Sequence, residues 1–428
     1  MNTINTLILG SGGREHAIAY KISQSKLLKN LYVAPGNSGT YNIATNLVID
    51  INNYLEVKAI IIEKNIDLLI IGPENPLVSG LHNKLLNDND ITNLKIIGPK
   101  KEGAKLEGSK FFAKKFMEKY KIPTAEFRSF EKKEFSDAID YLKTLSPPYV
   151  VKADGLAAGK GVFICKSLKE AENAVNEMIN KSKFGDAGNT IVIESFLDGT
   201  ELSVFILTDG HSYKILPSAK DYKRIGENDT GLNTGGMGAI SPVPFLDEKL
   251  MLKIKNQIIE PTLKGLKNEA IDFSGFIFFG LINVNGNPYV IEYNVRLGDP
   301  ETQVILPRIK SDFLKLLINI DNQSEFEKNQ LLINEEATST VILTSGGYPE
   351  NYQKGAHVKG VEDVKNALIF HAGMKKEKEK YLTNGGRVLS ITGQAPTLQQ
   401  ALKISYSNIK KIKFNNAYYR KDIGFDVT

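Results

Sequence analysis

The sequence predicts a multidomain protein of α/β and α+β class. It comprises an N-terminal doubly wound parallel sheet, a larger central domain of strand pairs and helices, and a small β-rich C-terminal domain. Three observations predict this. Short apolar runs alternate with helical stretches up to about position 109, as parallel βαβ units require. From Lys110 the texture changes to longer strands broken by Gly-rich turns, and the Lys/Asn-rich stretch 321–336 then separates a final β-branched segment. With 428 residues, two to four cores are expected, and we place the domains at 1–109, 110–325 and 330–428.

In the first domain TLILG, LYVAPG, LVIDI, IDLLIIGPE and LKIIGP read as strands closed by Gly or Pro. Doubly wound sheets place their sites beyond the carboxyl ends of such strands, where Gly10, Gly12, Gly13, Pro35, Gly36, Asn37, Gly72, Pro73 and Glu74 would gather. GSGGREH comes close to a dinucleotide fingerprint, but Glu15 stands where the third glycine belongs. The apolar LYV occupies the region expected to supply the ribose-binding acid. A dehydrogenase is therefore disfavoured. What remains is a Gly-rich turn into a helix N-terminus, a cradle for phosphate to which Arg14 adds charge-assisted hydrogen bonds. His16, on the following helix, reads as a structural histidine.

The central segment opens with SKFFAKKFMEKYKIPTAEF, a basic helix ended by Pro123. PYVVKADGLAAGKGVFIC reads as a hairpin around a Gly/Ala turn. Lys152 interrupts its first apolar strand, and an ammonium buried without an anion is costly. Between Gly155 and Gly161, including Gly159, Lys160 has almost the only long side chain, so backbone N–H groups can approach phosphates. TIVIESFLDGTELSVFIL reads as a second strand pair. There Glu194 ends an apolar strand, Phe196 and Leu197 offer a wall for a flat base, and Glu201 can accept from ribose hydroxyls. The polar run KRIGENDTGLNTGGMG, holding Asp229, Thr230, Asn233, Thr234, Gly235 and Gly236, is either a surface excursion or a closing loop for a small polar ligand.

PYVIEYNVRLGDPETQ, 288–303, carries the most chemistry. Alternation along a strand projects Glu292, Asn294 and Arg296 to one face and Ile291, Tyr293 and Val295 to the other. A carboxylate, a carboxamide and a guanidinium aligned in this way suit a hard cation beside phosphate. Asp299, Pro300 and Glu301 have the form of a helix start: cap, proline, early acid. In the last domain VILTSGGYP and LIFHAG read as strands and KKEKEK as a solvated hairpin tip.

Composition narrows the classes. Apolar content of 42%, charge of 24% and a net charge of +5 are ordinary for a globular protein, and no basic block alternates with aromatics, so nucleic-acid binding is not expected. Cys165, the single cysteine, reads as a core residue and rules out an internal disulfide. The chain starts on a strand rather than a signal peptide. It has no apolar run near the roughly 20 residues that cross a bilayer, so a cytoplasmic setting without membrane partners is expected.

Taken in order, ILGSGGREHAI, GPENPLVSG, LEGSKFFAKKFM, VVKADGLAAGKGV, DTGLNTGGMGAISPV, NVRLGDPETQ, HAG, GGRVL and KDIGF resemble the ATP-grasp carboxylate–amine ligases, and more narrowly the glycinamide ribonucleotide synthetase family. The resemblance implies a pre-ATP-grasp domain, an ATP-grasp domain with a mobile lid over about 125–195, and a monomer. It also implies ATP-dependent ligation of glycine to 5-phosphoribosylamine through a glycyl phosphate. By the same resemblance Glu292 and Asn294 would hold Mg²⁺ or Mn²⁺, and Lys110 and Lys152 would bind phosphate beneath the turn containing Gly155, Gly159, Lys160 and Gly161. Glu194, Phe196 and Leu197 would form the adenine hinge, Glu201 would take the ribose, and Arg296 would steady the acyl phosphate. Gly12, Gly13, Arg14, Asp221, Lys223 and the 229–236 residues would close on the two substrates. Two features depart from the family pattern. Where it commonly reads SAQDHKR, this chain has Lys220 and Tyr222 in place of Gln and His. The strand GFIFFGLINV also offers no second metal-binding carboxylate. The chain stops after KDIGFDVT, so a single activity is expected. Another ATP-grasp ligase, or a nucleotide-binding protein without turnover, remains the alternative.

Overall fold

A computed structural model describes residues 3–157 and 160–427. Strands β1 (Ile4–Gly10), β2 (Leu28–Pro35), β3 (Thr45–Asn46), β4 (Leu68–Ile71) and β5 (Lys95–Ile97) form one parallel sheet in the order β3-β2-β1-β4-β5. The order reverses at β1, so its carboxyl end opens into a crevice. The run LVIDI is not the expected strand. Only Thr45 and Asn46 pair with β2; Leu47, Ile49 and Ile51 pack against the core, and Val48 is left 93% exposed. Helix α1 (Gly13–Ile22) follows β1 directly.

The helix read as ending at Pro123 runs from Lys110 to Lys119. The chain leaves it at Lys121, whose φ is +55°. Next come β6 (Phe127–Glu131), β7 (Tyr149–Ala153), β8 (Val162–Cys165) and β9 (Thr190–Ser195), in the sheet order β6-β9-β7-β8. The hairpin of β7 and β8 is as expected, with Lys152 opposite Val162. The second expected strand pair is not one. β9 stays in this sheet, whereas Thr200–Thr208 joins a separate antiparallel sheet with Gly275–Val284 and Asn287–Asn294. The chain therefore crosses between two sheets at 196–199, and an apolar core lies beneath each.

Two further differences concern the site. Pairing of Gly275–Val284 with Asn287–Asn294 shifts between Gly280 and Leu281, leaving Ile291 without a partner in the register. The bulge rotates the alternation, so Val290, Tyr293 and Val295 are buried together while Ile291 is only half-buried. The polar run 223–238 is not all loop, since Arg224–Gly226 pairs with Thr230–Asn233 around left-handed Asn228 and Asp229. Flanking it, Lys220–Asp221 and Gly238–Ser241 leave the central domain and extend the C-terminal sheet, where Gly238–Ser241 pairs with Ala337–Thr344.

That sheet continues through Arg387–Ala395 and Leu368–His371, with helix Leu398–Ile409 against it. KKEKEK forms the expected hairpin, Glu377 opposite Lys380. Among the described residues no helix is long and apolar enough to cross a membrane.

Candidate active site

Lys152 belongs to an apolar strand and is 6% exposed, but it is not without an anion. Its Nζ lies 2.8 Å from Glu194 Oε1, and Lys114 Nζ lies 2.9 Å from Glu194 Oε2. Glu194 is therefore an anion that the burial of Lys152 calls for, supplied by the protein itself. The Glu194 carboxylate thus belongs to a buried ion cluster, just before Phe196 and Leu197 of the expected adenine hinge. Burial pushes the Glu194 carboxyl up, but Lys152 and Lys114 outweigh it and hold it below the usual range. Burial lowers Lys114 to about 8 against the pull of Glu194, so the lysines exceed the carboxylate they share. Lys114 also donates to Thr124 Oγ1 at 2.7 Å. It sits one turn beyond Lys110, a spacing that puts both on one helix face; that was the signal available for it.

Lys110 donates to the carbonyls of Gly155 (3.2 Å) and Asp154 (3.4 Å) at the mouth of the Gly/Ala turn. Burial lowers its pKa, and it feels the charges of Glu292, Lys152, Asp154 and Glu194. The expected phosphate lysines and the expected metal carboxylate therefore share one electrostatic neighbourhood. Gly155 N–H donates to Ala187 O and Lys160 N–H to Ala157 O, so these two amides of the turn are engaged. Gly161 is buried, its carbonyl accepting from Ala153; Lys160 is exposed, and Gly159 lies outside the described residues. Phe196, 39% exposed, and Leu197 lie on the crossing between the sheets.

Across the cleft, Glu292 is half-buried and faces Gly280, where a Cβ would come within 3.1 Å of its Cγ. Asn294 Oδ1 accepts from Arg296 Nη2 at 3.1 Å, while its buried Nδ2 has no partner among the described residues. The Glu292 carboxylate and the Asn294 carboxamide oxygen, which keeps a second lone pair beside its bond to Arg296, are hard oxygen donors that fit Mg²⁺ completed by phosphate oxygens. Arg296 is braced from the first domain, Nη2 lying 2.8 Å from Glu107 Oε1 and Nε 3.4 Å from Glu74 Oε2. Burial disfavours its charge, yet Glu107 and Glu74 raise its pKa. Glu107, which also accepts from Val295 N at 2.8 Å, carried no local signal in the sequence.

Lys223 donates to Glu201 Oε2 at 2.7 Å and lies near Asp221 and Glu292. Lys223 and Glu201 remain 36% and 43% exposed, so they line an open cleft. Burial and the neighbouring Glu201 raise Asp221 despite Lys223. Glu301, noted in the sequence only as an early helical acid, is buried beside them and is pushed up to about 8 by desolvation and Asp221.

The N-terminal turn differs from its expectation. Gly12 N–H donates to Glu15 Oε2 at 2.7 Å and Arg14 N–H to Asp299 Oδ2 at 3.2 Å, so protein carboxylates occupy two amides of the presumed phosphate cradle. Arg14 itself is buried against Glu15 (2.5 Å) and Leu297 O (3.3 Å). Gly13 packs on Gln303, whose Nε2 a Cβ would approach to 2.5 Å. Asp299 does not cap the next helix, which starts at Thr302. It binds Gln303 Nε2 (2.9 Å) and Arg387 (3.2 Å) instead.

Of the 229–236 residues, Asp229 pairs with Arg420 at 2.6 Å and Thr230 Oγ1 donates to Glu227 O. Asn233 is registered opposite Arg224, and Thr234 donates to Lys223 O and caps Gly236 N. Gly235 is held by C-terminal residues: its N–H donates to Tyr348 Oη at 2.9 Å and its carbonyl accepts from Arg387 at 2.6 Å. Lys220 and Tyr222, which stand where the resembled pattern has Gln and His, turn away from the cleft. Tyr222 is 1% exposed in the C-terminal core, its hydroxyl donating to Asp426 at 2.8 Å, and Lys220 pairs with the other oxygen of Asp426 at 3.1 Å.

A cleft between two sheets, with buried lysines on one wall and a carboxylate–carboxamide strand end on the other, defines an ATP-grasp ligase. The chain belongs to the phosphoribosylglycinamide synthetase family, whose N, ATP-grasp (A) and C domain models match residues 4–107, 108–302 and 338–426. It is 45% identical over 425 residues to a phosphoribosylamine–glycine ligase of Fusobacterium nucleatum, covering 98% of each chain. It is 44% identical over 418 residues to one from Clostridium acetobutylicum, covering 98% of this chain and 99% of that one. The crystal structure of phosphoribosylamine–glycine ligase from Thermotoga maritima superposes with a TM-score of 0.84 at 35% identity, over 98% of this chain and all of that one.

Proposed function

We propose that this chain joins glycine to 5-phosphoribosylamine with hydrolysis of ATP, giving glycinamide ribonucleotide, ADP and phosphate, a step of purine biosynthesis. The observation that carries the site assignment is Lys114, which pairs with Glu194 of one sheet at 2.9 Å and donates to Thr124 Oγ1, which in turn donates to Val290 O on the strand that bears Glu292 and Asn294. ATP lies between the two sheets, its base against Phe196 and Leu197, its ribose toward Glu201, and its phosphates toward Lys110 and Lys152. Glu292 and Asn294 hold Mg²⁺ or Mn²⁺, which supplies charge neutralisation on the phosphate oxygens.

A glycine carboxylate oxygen attacks the γ-phosphorus and the bond to the β,γ-bridging oxygen breaks, releasing ADP. The amine nitrogen of phosphoribosylamine then attacks the glycyl carbonyl carbon. The carbon–oxygen bond to phosphate breaks, and the nitrogen loses a proton to solvent. Positioning and electrostatic stabilisation carry both steps. Arg296, braced by Glu107 and Glu74, presents a fixed cation to the acyl phosphate. Lys223, Asp221 and the 229–236 residues, with Gly12, Gly13 and Arg14 beyond them, border the space left for the substrates. We further infer a monomer acting in the cytoplasm, where a single buried thiol, Cys165, stays reduced.

Glycine labelled with ¹⁸O in its carboxylate tests the reading. Label is expected in the inorganic phosphate released, and ADP release is expected to require both glycine and phosphoribosylamine. Turnover with unlabelled phosphate rejects the glycyl phosphate.

A further inference from the structure

The C-terminal segment grips the hairpin that carries Asp229 at several points, and Arg420 is the centre of the grip. Arg420 is wholly buried, yet its guanidinium reaches out to that hairpin: Nη1 donates to Asp229 Oδ1 at 2.6 Å and to Arg224 O at 3.2 Å. Its other edge meets Asp422 in a two-point pair, Nε to Oδ1 at 2.9 Å and Nη2 to Oδ2 at 2.8 Å. Asp422 Oδ2 also accepts the backbone N–H of Asn228 at 2.7 Å.

The turn held in this way is one the chain would not choose freely. Asn228 and Asp229 lie consecutively at φ +53° and +51°, a region side chains rarely adopt. Such a conformation persists only where its surroundings over-determine it. Here Arg420 fixes the side chain of one left-handed residue and Asp422 the backbone of the other. Only a planar fork with donors on two edges can join Arg224, Asp229 and Asp422 at once. Beyond the turn the same run passes Gly235, clamped by Tyr348 and Arg387, and a Cβ there would stand 2.9 Å from Arg387 Cζ, so any side chain would displace that guanidinium. Its first strand begins directly after Lys223, which binds Glu201 in the cleft.

We propose that Arg420 is a positioning residue for the reaction: through Asp229 and Asp422 it sets the 224–236 segment that closes on glycine and phosphoribosylamine. The inference rests on the reading of that segment as the substrate wall. Arg420 touches no reacting atom. Its effect is on where Lys223 and the Thr234–Gly236 backbone stand, and misplacement by about 1 Å can cost about 100-fold in rate.

The test combines hydrogen exchange of the intact enzyme with steady-state kinetics of Arg420→Ala, Arg420→Lys and Asp422→Ala. In the wild type, ADP with glycinamide ribonucleotide is expected to slow amide exchange over 224–236. The Arg420→Ala and Asp422→Ala variants are expected to exchange faster there and to raise the KM for glycine and phosphoribosylamine about 10- to 100-fold, leaving the KM for ATP unchanged. Arg420→Lys, lacking the fork, is not expected to rescue. Should Arg420→Ala fail to fold, Asp422→Ala decides, because that side chain is 15% exposed. A wild-type segment protected by product, with folded variants unchanged in exchange and KM, overturns the inference alone. A fall in kcat with a parallel rise in all three KM values also overturns it, as the mark of a merely structural role. A wild-type segment that product does not protect overturns the substrate-wall reading and the inference with it.

Discussion

Lys152 and Glu194 lie 2.8 Å apart, 6% and 4% exposed, on neighbouring strands of the sheet that covers the cleft. Their pairing means that the cationic wall carries a counter-charge supplied by the protein itself. Lys114 shares the same carboxylate, so one Glu194 keeps two ammonium groups buried. Breaking a buried pair leaves an uncompensated charge. Glu194→Gln is therefore expected to lower stability by about 3–5 kcal/mol, measured from the denaturant midpoint. An unchanged midpoint would show that the cluster is solvated.

Glu292 tells a different story. It is half-buried in an open cleft, opposite Gly280, so its removal should spare the fold. Glu292→Ala is expected to keep the wild-type circular dichroism spectrum and to lose about 100-fold or more of the metal-dependent rate, as befits several kcal/mol of charge stabilisation. Near-normal turnover in the variant refutes the ligand assignment.

His16 and His371 join the first and last domains. His371 N–H donates to His16 Nδ1 at 2.9 Å, the rings meet edge to face at 5.5 Å, and Ser38 Oγ bonds His371 Nδ1 at 2.8 Å. Burial lowers His16 to about 3, with His371 adding to the effect, and burial lowers His371 to about 4, both from 6.5. Both stay neutral in the folded chain, whereas the unfolded chain takes up their protons below pH 6.5. Their stabilisation is therefore present above pH 6.5 and is lost as the pH falls from there toward 4 and 3. Two protons give a slope of up to about 2.7 kcal/mol per pH unit. Denaturant unfolding at a series of pH values should show it, and His16→Gln should reduce it. An identical slope in that variant would remove the pair as its source.

Lys220 and Tyr222 replace the residues usual in the family, and both bind Asp426. The double change Lys220→Gln, Tyr222→His is expected to destabilise the protein by about 1–3 kcal/mol, because it shrinks the buried Tyr222 ring in the C-terminal core and removes both bonds to Asp426, without raising kcat. A gain in turnover would mean that these positions act in the cleft after all.

Much of the site was legible in the sequence because it is written at short range. Strand alternation puts Glu292, Asn294 and Arg296 in one row, and the Gly/Ala turn between β7 and β8 follows from composition. Local patterning failed where a partner strand or a distant charge decides. The bulge at Ile291 depends on Gly280, and β9 and Thr200–Thr208 separate because each finds a different sheet.

By itself, then, the sequence determined the domain order, the hairpin of β7 and β8, and the row of metal-compatible side chains, all set by periodicity and turn residues within a few positions of one another. Only the tertiary structure decided that Glu194 serves two lysines, that Glu107 and Glu74 brace Arg296, that Asp299 and Glu15 occupy the amides before α1, and that Arg420 holds Asp229. Most of these contacts join residues tens to hundreds of positions apart. A buried charge must find its counter-charge wherever the fold brings one, and no local pattern records which one that is.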